Sequence, residues 1–335
     1  MEEIFQKAVK RAMQSEKPID SVPWALDSPH PQDIYAYDST TSSWTSGSSA
    51  SAQSPDTQIT HIALFSWNID FMLPFEKDRM RIGLSHLQTH ISSLPRTTAA
   101  VIFLQECLVQ DLASIGETNW VRDGFRVTDT DSSSWGTSYY GTTTLVDARL
   151  DVKSVFRVHY SASRMQRDAL FVDVCISPDK IVRLCNTHLE SLETPLRAPQ
   201  VALIAKFMHA PEVSGALAAG DFNAIGEYDR TLHSENALQD VYLELGGEED
   251  SEEGYTWGQQ AATVLRKLYG CSRMDKVFLS GKLKAEKFER FGVDVELEDE
   301  EQKEEIRELG FEKAWITDHL GVMTVVSLDK LRVVM

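Results

Sequence analysis

"KIVRLCNTHLES", residues 180 to 191, is a short apolar run that stops abruptly in His188, Glu190 and Ser191. A run of this length, rich in β-branched side chains and bounded by polar groups, predicts a strand buried in a sheet. The same unit recurs along the chain. "HIALFSWNID" ends in Asn68, "AAVIFLQEC" in Glu106, and "GALAAGDFNA" in Asp221 and Asn223; "MDKVFLS" opens with Asp275, and "AWITDHLGVMTVV" carries Asp318 and His319. Several buried strands that share a polar end predict one common rim.

Helical periodicity interrupts these strands. In "EKDRMRIGLSHLQTHISSL" the residues Met80, Leu84, Leu87, Ile91 and Leu94 recur at three- and four-residue spacing, and "PQVALIAKFMH" continues the pattern. The expected fold class is α/β, a two-sheet α/β sandwich of mixed strands with helices on the outer faces. Residues 1–57 are expected to form an N-terminal extension. It would hold a weakly amphipathic helix with Ile4, Phe5, Val9 and Met13, then a flexible Ser/Thr-rich segment from Ser39 to Ser54. Residues 58–335 would form the folded, catalytic domain.

A hydrophobic fraction of 42% with 25% charged residues is ordinary for a globular chain and excludes wholesale disorder or a fibrous fold. No apolar run approaches the roughly 18 residues that span a bilayer, and "MEEIFQKAVKRAMQSEK" lacks the uninterrupted apolar core of a signal peptide. An intracellular home, nuclear or cytoplasmic, is expected, without membrane contact and as a monomer. Cys107, Cys175, Cys185 and Cys271 form no CxxC pair and read as structural, so zinc is not indicated. The net charge of −18 is concentrated in two stretches, residues 244–253 with six acids and residues 294–305 with eight acids and one lysine. Without them 37 acids face 32 bases, so a locally positive groove and a phosphate-bearing substrate stay open. Both acidic stretches are expected to be surface insertions, solvated or mobile.

Taken singly, an acid after a strand is a cap or turn former, a lone His188 is a hydrogen-bonded structural residue, and GDxN is a turn bonding its own backbone. Together they supply what phosphoester hydrolysis needs. Glu106, Asp318 and Asn68 offer the oxygens that a hard divalent ion prefers, which points to Mg²⁺, with Mn²⁺ as a substitute. Asp221 with Asn223 can orient and deprotonate a water, and His188, His319 and Asn68 can donate hydrogen bonds to phosphoryl oxygens in the transition state. A carboxylate neighbour favours the charged, donating form of a histidine, and Asp275 is the expected partner of His319.

Asn68, the "LQE" of Glu106, "THLES", "GDFN", "RMD" and the terminal "TDH" resemble, in order and context, the motifs of the endonuclease/exonuclease/phosphatase family, the DNase I-like fold, over residues 58–329. The resemblance implies that Glu106 binds Mg²⁺ with Asp318 in support, that Asp221 and Asn223 position the attacking water, and that His188 and His319 stabilise the transition state. "SWNID", "RMQRDALFVDV" and "GYTW" are similar to the branch of that family that frees a topoisomerase tyrosine from a DNA 5′ phosphate. That likeness implies a DNA 5′ end carrying a phosphotyrosyl adduct as partner, with Ser191 and Trp257 touching it. Trp257 also reads as a residue capping the core. The chain departs from the branch, which often carries an arginine shortly after GDxN: here Ile225 lies two residues on from Asn223 and no base follows until Arg230. Arg164 or Arg167 is the candidate replacement, against the reading of a solvated arginine beside a strand. The rival readings are a nuclease or an inositol phosphatase, sphingomyelinase-like or RNA-directed phosphoesterase on the same core, and a noncatalytic binding module.

Overall fold

The computed structural model describes residues 2–47 and 58–332. Two sheets pack face to face, one of seven strands and one of eight. The seven-stranded sheet runs Pro29–Pro31, Asp151–His159, Asp168–Ser177, Lys180–His188, Val213–Asp221, Asp275–Gly281 and Gln239–Asp240 in spatial order. The other runs Lys284–Phe291, Gly321–Ser327, His61–Asn68, Thr98–Leu108, Tyr140–Asp147, Phe125–Val127, Tyr35–Asp38 and Ser43–Ser46.

Each sheet has one parallel pair among the described residues, and these pairs set the site. Lys180–His188 lies parallel to Val213–Asp221 with His188 opposite Asp221. His61–Asn68 lies parallel to Thr98–Leu108 with Asn68 opposite Gln105. Parallel strands end on the same side, so the polar residues that close them meet at one edge of the sandwich. The antiparallel strand that begins at Asp275 starts at that edge, opposite Asp221.

The inner faces bury Ile62, Leu64, Val101, Phe103, Val172, Leu184, Leu217 and Val277 between the sheets. Alternate residues point outward, where Ala63, Phe65 and Trp67 meet the Glu76–Ser92 helix through Met80, Leu84 and Leu87. On the other face, Val201, Ile204 and Met208 of the Arg197–Met208 helix cover Phe171, Ala218 and Phe278. Strands buried on both faces read as continuous apolar runs, which is why they were legible. The architecture is the expected two-sheet sandwich with outer helices.

The boundary expected at residue 58 is corrected. Pro29–Pro31 pairs with Phe156–Val158, and Tyr35–Asp38 pairs with both Arg126–Val127 and Ser43–Ser46. Residues 29–46 therefore complete the edges of both sheets. Ser43–Ser46 is the outermost strand, with one neighbour and one wet side, so it tolerates the Ser/Thr-rich composition that suggests a flexible segment. Residues 48–54 of that segment lie outside the described residues. The N-terminal helix forms over Glu2–Gln14 and buries Ala12 against Phe71, Leu108 and Tyr140, with Met13 exposed. The side chains of Ile4, Phe5 and Val9 lie outside the described residues.

The acidic stretches are also less detached than expected. Leu297 within the second, and Ile306 just after it, are anchored in the core, the latter on the Glu300–Glu308 helix. Glu249 of the first meets the buried Arg273 and Lys276. No helix among the described residues is long and apolar enough to cross a membrane.

Candidate active site

At the shared edge the Asp221 carboxylate is the hub. Its Oδ2 accepts from Asn68 Nδ2 at 3.0 Å and lies 3.3 Å from His188 Nε2 and 3.7 Å from His319 Nε2. Its Oδ1 accepts from the backbone N–H of Asn223 at 2.8 Å. His188 Nε2 is also 3.8 Å from Glu106 Oε1, and His319 Nδ1 is 2.8 Å from Asp275 Oδ2. Asp318 Oδ2 accepts from the Trp257 indole N–H at 2.7 Å. Asn68, Glu106, His188, Asp221, Asn223, Asp275, Asp318 and His319 are thus brought together.

The backbone is bent to present them. Asp70, Glu106 and Asn223 have φ of 54°, 59° and 47°, left-handed conformations that disfavour a Cβ by about 1 kcal/mol or more each. Glu106 sits where the pairing of Thr98–Leu108 with Tyr140–Asp147 slips between Leu104 and Cys107, a bulge that re-aims its side chain. The glycine of GDFN has a different reason. A Cβ on Gly220 would lie 1.8 Å from the Thr187 carbonyl oxygen, so only glycine lets the two parallel strands close up beneath Asp221.

The two histidines occupy opposite protonation states. Burial opposes charge on His319, yet the Asp275 and Asp221 carboxylates raise it well above its ordinary value, so it is a charged donor. Burial and then the Arg167 guanidinium lower His188. Arg167 Nη1 donates to His188 Nδ1 at 2.6 Å, which leaves the ring neutral with its proton on Nε2, facing Asp221. Burial would raise Asp221, but the charge of His319 and the hydrogen bonds from His188 and the Asn223 backbone hold it well below the usual carboxylate range. Burial pushes Asp275 up to about 6 despite the opposing charge of His319.

Two oxygen-rich sets compete for a cation. Asp221, Asp275 and His319 offer ligand atoms within 4.8 Å of one another, but a protonated His319 has no lone pair to give. Glu106, Asp70 and Asp318 form a second, all-carboxylate set, close enough for the charges of Asp318 and Glu106 to act on Asp70. Burial, and then the charges of Asp318 and Glu106, push Asp70 up to about 8, a repulsion that a divalent ion would relieve. These residues fit a hard metal. Asn68, expected as both ligand and donor, is engaged at both ends of its amide, since Oδ1 also accepts from Asp70 N at 3.0 Å.

The substrate candidates separate. The Arg164 side chain is 66% exposed and paired with Glu193, the solvated reading. Arg167 is instead buried behind His188. Ser191 is half-buried with its hydroxyl on Met165 Sδ at 3.2 Å. Trp257 is 8% exposed and packs with Ala261 and Met274, which leaves little ring for a base. The exposed aromatic beside it is Tyr269, with ring centroids 6.4 Å apart. Two residues escaped the sequence reading. Asp70 stands in the "NID" that follows Asn68, where a second acid after the strand was the available signal. Arg79 is buried in the outer helix and donates to the carbonyls of Ile69, Asp70, Leu73, Pro74 and Ile316, and no local pattern announces that.

This fold and this set of side chains define a class. A profile of the endonuclease/exonuclease/phosphatase family matches residues 65–319, and the chain belongs to that family, whose members are hydrolases of phosphate esters. Among curated proteins, tyrosyl-DNA phosphodiesterase 2 of Homo sapiens is 27% identical over 245 residues, covering 71% of this chain and 63% of that protein. The chain thus spans less than two thirds of the length of that relative. Among solved structures, D. rerio TDP2 complexed with single-strand DNA product is similar with a TM-score of 0.60 and 20% identity, covering 80% of this chain and 99% of that one. C. elegans TDP2 gives 0.56 and 23%, covering 81% and 76%. A Bacteroides thetaiotaomicron mannosyl-6-phosphatase gives 0.52 and 14%, covering 79% and 99%. At these identities the structural likeness shows the fold alone.

Proposed function

We propose that the protein is a Mg²⁺-dependent phosphodiesterase that hydrolyses the 5′-phosphotyrosyl bond between DNA and a topoisomerase-derived tyrosine, a DNA-repair reaction carried out by a monomer. The observation that carries the reaction is the meeting of charged His319 and neutral His188 over Asp221, beside the Glu106, Asp70 and Asp318 carboxylates. The likeness to tyrosyl-DNA phosphodiesterase 2 supports the substrate.

Asp221 stays ionised and accepts a hydrogen bond from the attacking water, with Asn223 beside it. A carboxylate held so low is a weak base, so its work is orientation more than proton removal. His319 donates from a charged ring and His188 from a neutral one to the phosphoryl oxygens, where charge grows in the transition state. Glu106, Asp70 and Asp318 would hold a divalent ion, which would supply Lewis acidity to the reaction when bound. The departing tyrosyl oxygen leaves as a phenolate, whose conjugate acid has a pKa of about 10, so no strong general acid is required.

A second reading has one observation in its favour. Ile225, 54% exposed, follows GDFN where the branch often carries an arginine nearby, and Arg164, Arg167, Arg197 and Arg230 are committed to Glu193, His188, Asp229 and Asp250. That favours a phosphate ester outside DNA on the same centre. The test is release of tyrosine from a single-stranded DNA with a 5′-phosphotyrosine, with Mg²⁺ or EDTA, beside a 3′-phosphotyrosyl DNA and an unmodified strand. The proposal expects Mg²⁺-dependent release from the 5′ end only. Survival of the 5′ adduct sinks the substrate and favours the second reading.

A further inference from the structure

A cavity of about 430 Å³ opens beside the catalytic centre, with Phe71, Met72 and Leu309 on its apolar walls. It shares a wall with the chemistry. The backbone N–H of Phe71 donates to Glu106 Oε2 at 3.0 Å, and its ring stacks on Tyr140 at 4.3 Å. Arg167, which holds His188, lies 5.4 Å from the Tyr140 ring centroid. The far wall comes from the N-terminal helix, where the Arg11 guanidinium sits 4.2 Å over the Tyr139 ring. Arg11 lies outside the residues that the family profile matches.

Charge decides the occupant. Arg11, over the Tyr139 face, brings one positive charge to the cavity, against two carboxylates, Glu76 and Glu305, which also line it and have no ion-pair partner among the described residues. Glu305 belongs to the acidic Glu300–Glu308 helix. A nucleic acid strand would be repelled there. A peptide with apolar and basic side chains would be drawn in, and Met72 offers an adaptable apolar surface.

We propose that this cavity binds the peptide on the leaving side of the scissile bond, with preference for a basic residue next to the tyrosine. This rests on the proposed function, because a tyrosyl leaving group embedded in a protein is what that reaction releases. It also gives the second acidic stretch a role, in setting which side of the substrate faces it.

The experiment compares three 5′ adducts on one DNA strand: tyrosine alone, tyrosine in a short lysine-containing peptide, and tyrosine in the matching glutamate-containing peptide. The wild-type protein should favour the basic peptide over tyrosine alone by about tenfold in kcat/KM. Leu309→Trp, which fills the cavity, and Glu305→Lys should each bring that ratio below about twofold while leaving turnover of tyrosine alone nearly unchanged. Equal use of all three adducts by the wild-type protein, or a preference that survives both variants, overturns the proposal. A second arm needs no turnover: the labelled basic tyrosyl peptide without DNA should bind the wild-type and Glu106→Gln proteins and lose affinity in Leu309→Trp. If no adduct is cleaved but this pattern holds, the proposed function has failed and the peptide site stands. If the peptide does not bind, the peptide site is wrong whatever the turnover.

Discussion

Glu106 shows how much the site asks of single residues. Its carboxylate is reached only by a left-handed turn at a bulge, and it shares its surroundings with Asp70 and Asp318. Asp221 is held by Asn68, His188 and the Asn223 backbone, so its shape is kept by partners that an amide can partly replace. Asp221→Asn should therefore leave circular dichroism unchanged while hydrolysis falls by about 10²-fold or more. Full activity in that variant would remove Asp221 from the reaction. Trp257 separates two roles that the sequence left open. Trp257→Phe keeps an aromatic, smaller ring and loses the N–H donated to Asp318. If the indole acts through Asp318, the Mg²⁺ concentration for half-maximal activity should rise several-fold while KM for DNA changes little. The opposite pattern would favour contact with a base.

Elements, rather than residues, bring these groups into register. The buried Arg79 of the Glu76–Ser92 helix binds five carbonyls in the loops that follow Asn68 and precede Asp318. Arg79→Lys has too few donors in the wrong geometry, and orphaning even two buried carbonyls should cost about 2–4 kcal/mol, seen as a lower denaturant midpoint. An unchanged midpoint would show that water replaces the guanidinium. Strand ends such as His188, Asp221 and Asn68 were legible because a doubly buried strand is a continuous apolar run and its last residue is conspicuous. What stayed hidden is long-range. The Arg79 carbonyl cage, the Arg167 to His188 bond across 21 residues and the slip that turns Glu106 all depend on neighbours distant in sequence. Residues 29–46 were misread for a related reason, since an edge strand buries too little to leave an apolar signature.

For the whole molecule, the sandwich depends on its N-terminal part. A chain starting at residue 58 would lose one edge of the seven-stranded sheet and two strands of the other, and it should aggregate or melt at distinctly lower temperature than the full chain. Equal melting would return residues 29–46 to the status of an appendage. The pH dependence of stability has an identified contributor in His159, which is 3% exposed and stacked on Trp24 at 4.0 Å. Burial, and then the charge of Arg157, lower it from 6.5 to about 2, so it is neutral in the fold and forms no ion pair with Asp168. A lowered histidine stabilises above its unfolded value and loses that contribution as pH falls through the window from 6.5 towards 2. His159→Phe should therefore flatten the acid side of the melting-temperature profile. A profile parallel to wild type would place the acid sensitivity elsewhere.

The central claim is that strand tips from both sheets assemble one metal-assisted phosphodiesterase centre. The most direct measurement is the Mg²⁺ titration of hydrolysis of the p-nitrophenyl ester of thymidine 5′-phosphate by the wild-type, Glu106→Gln and Asp221→Asn proteins. The account predicts saturable Mg²⁺-dependent release of nitrophenol by wild type, a Mg²⁺ requirement shifted upward in Glu106→Gln, and near-complete loss in Asp221→Asn at every Mg²⁺ concentration. Wild-type turnover that EDTA does not abolish, or full activity in both variants, would contradict it.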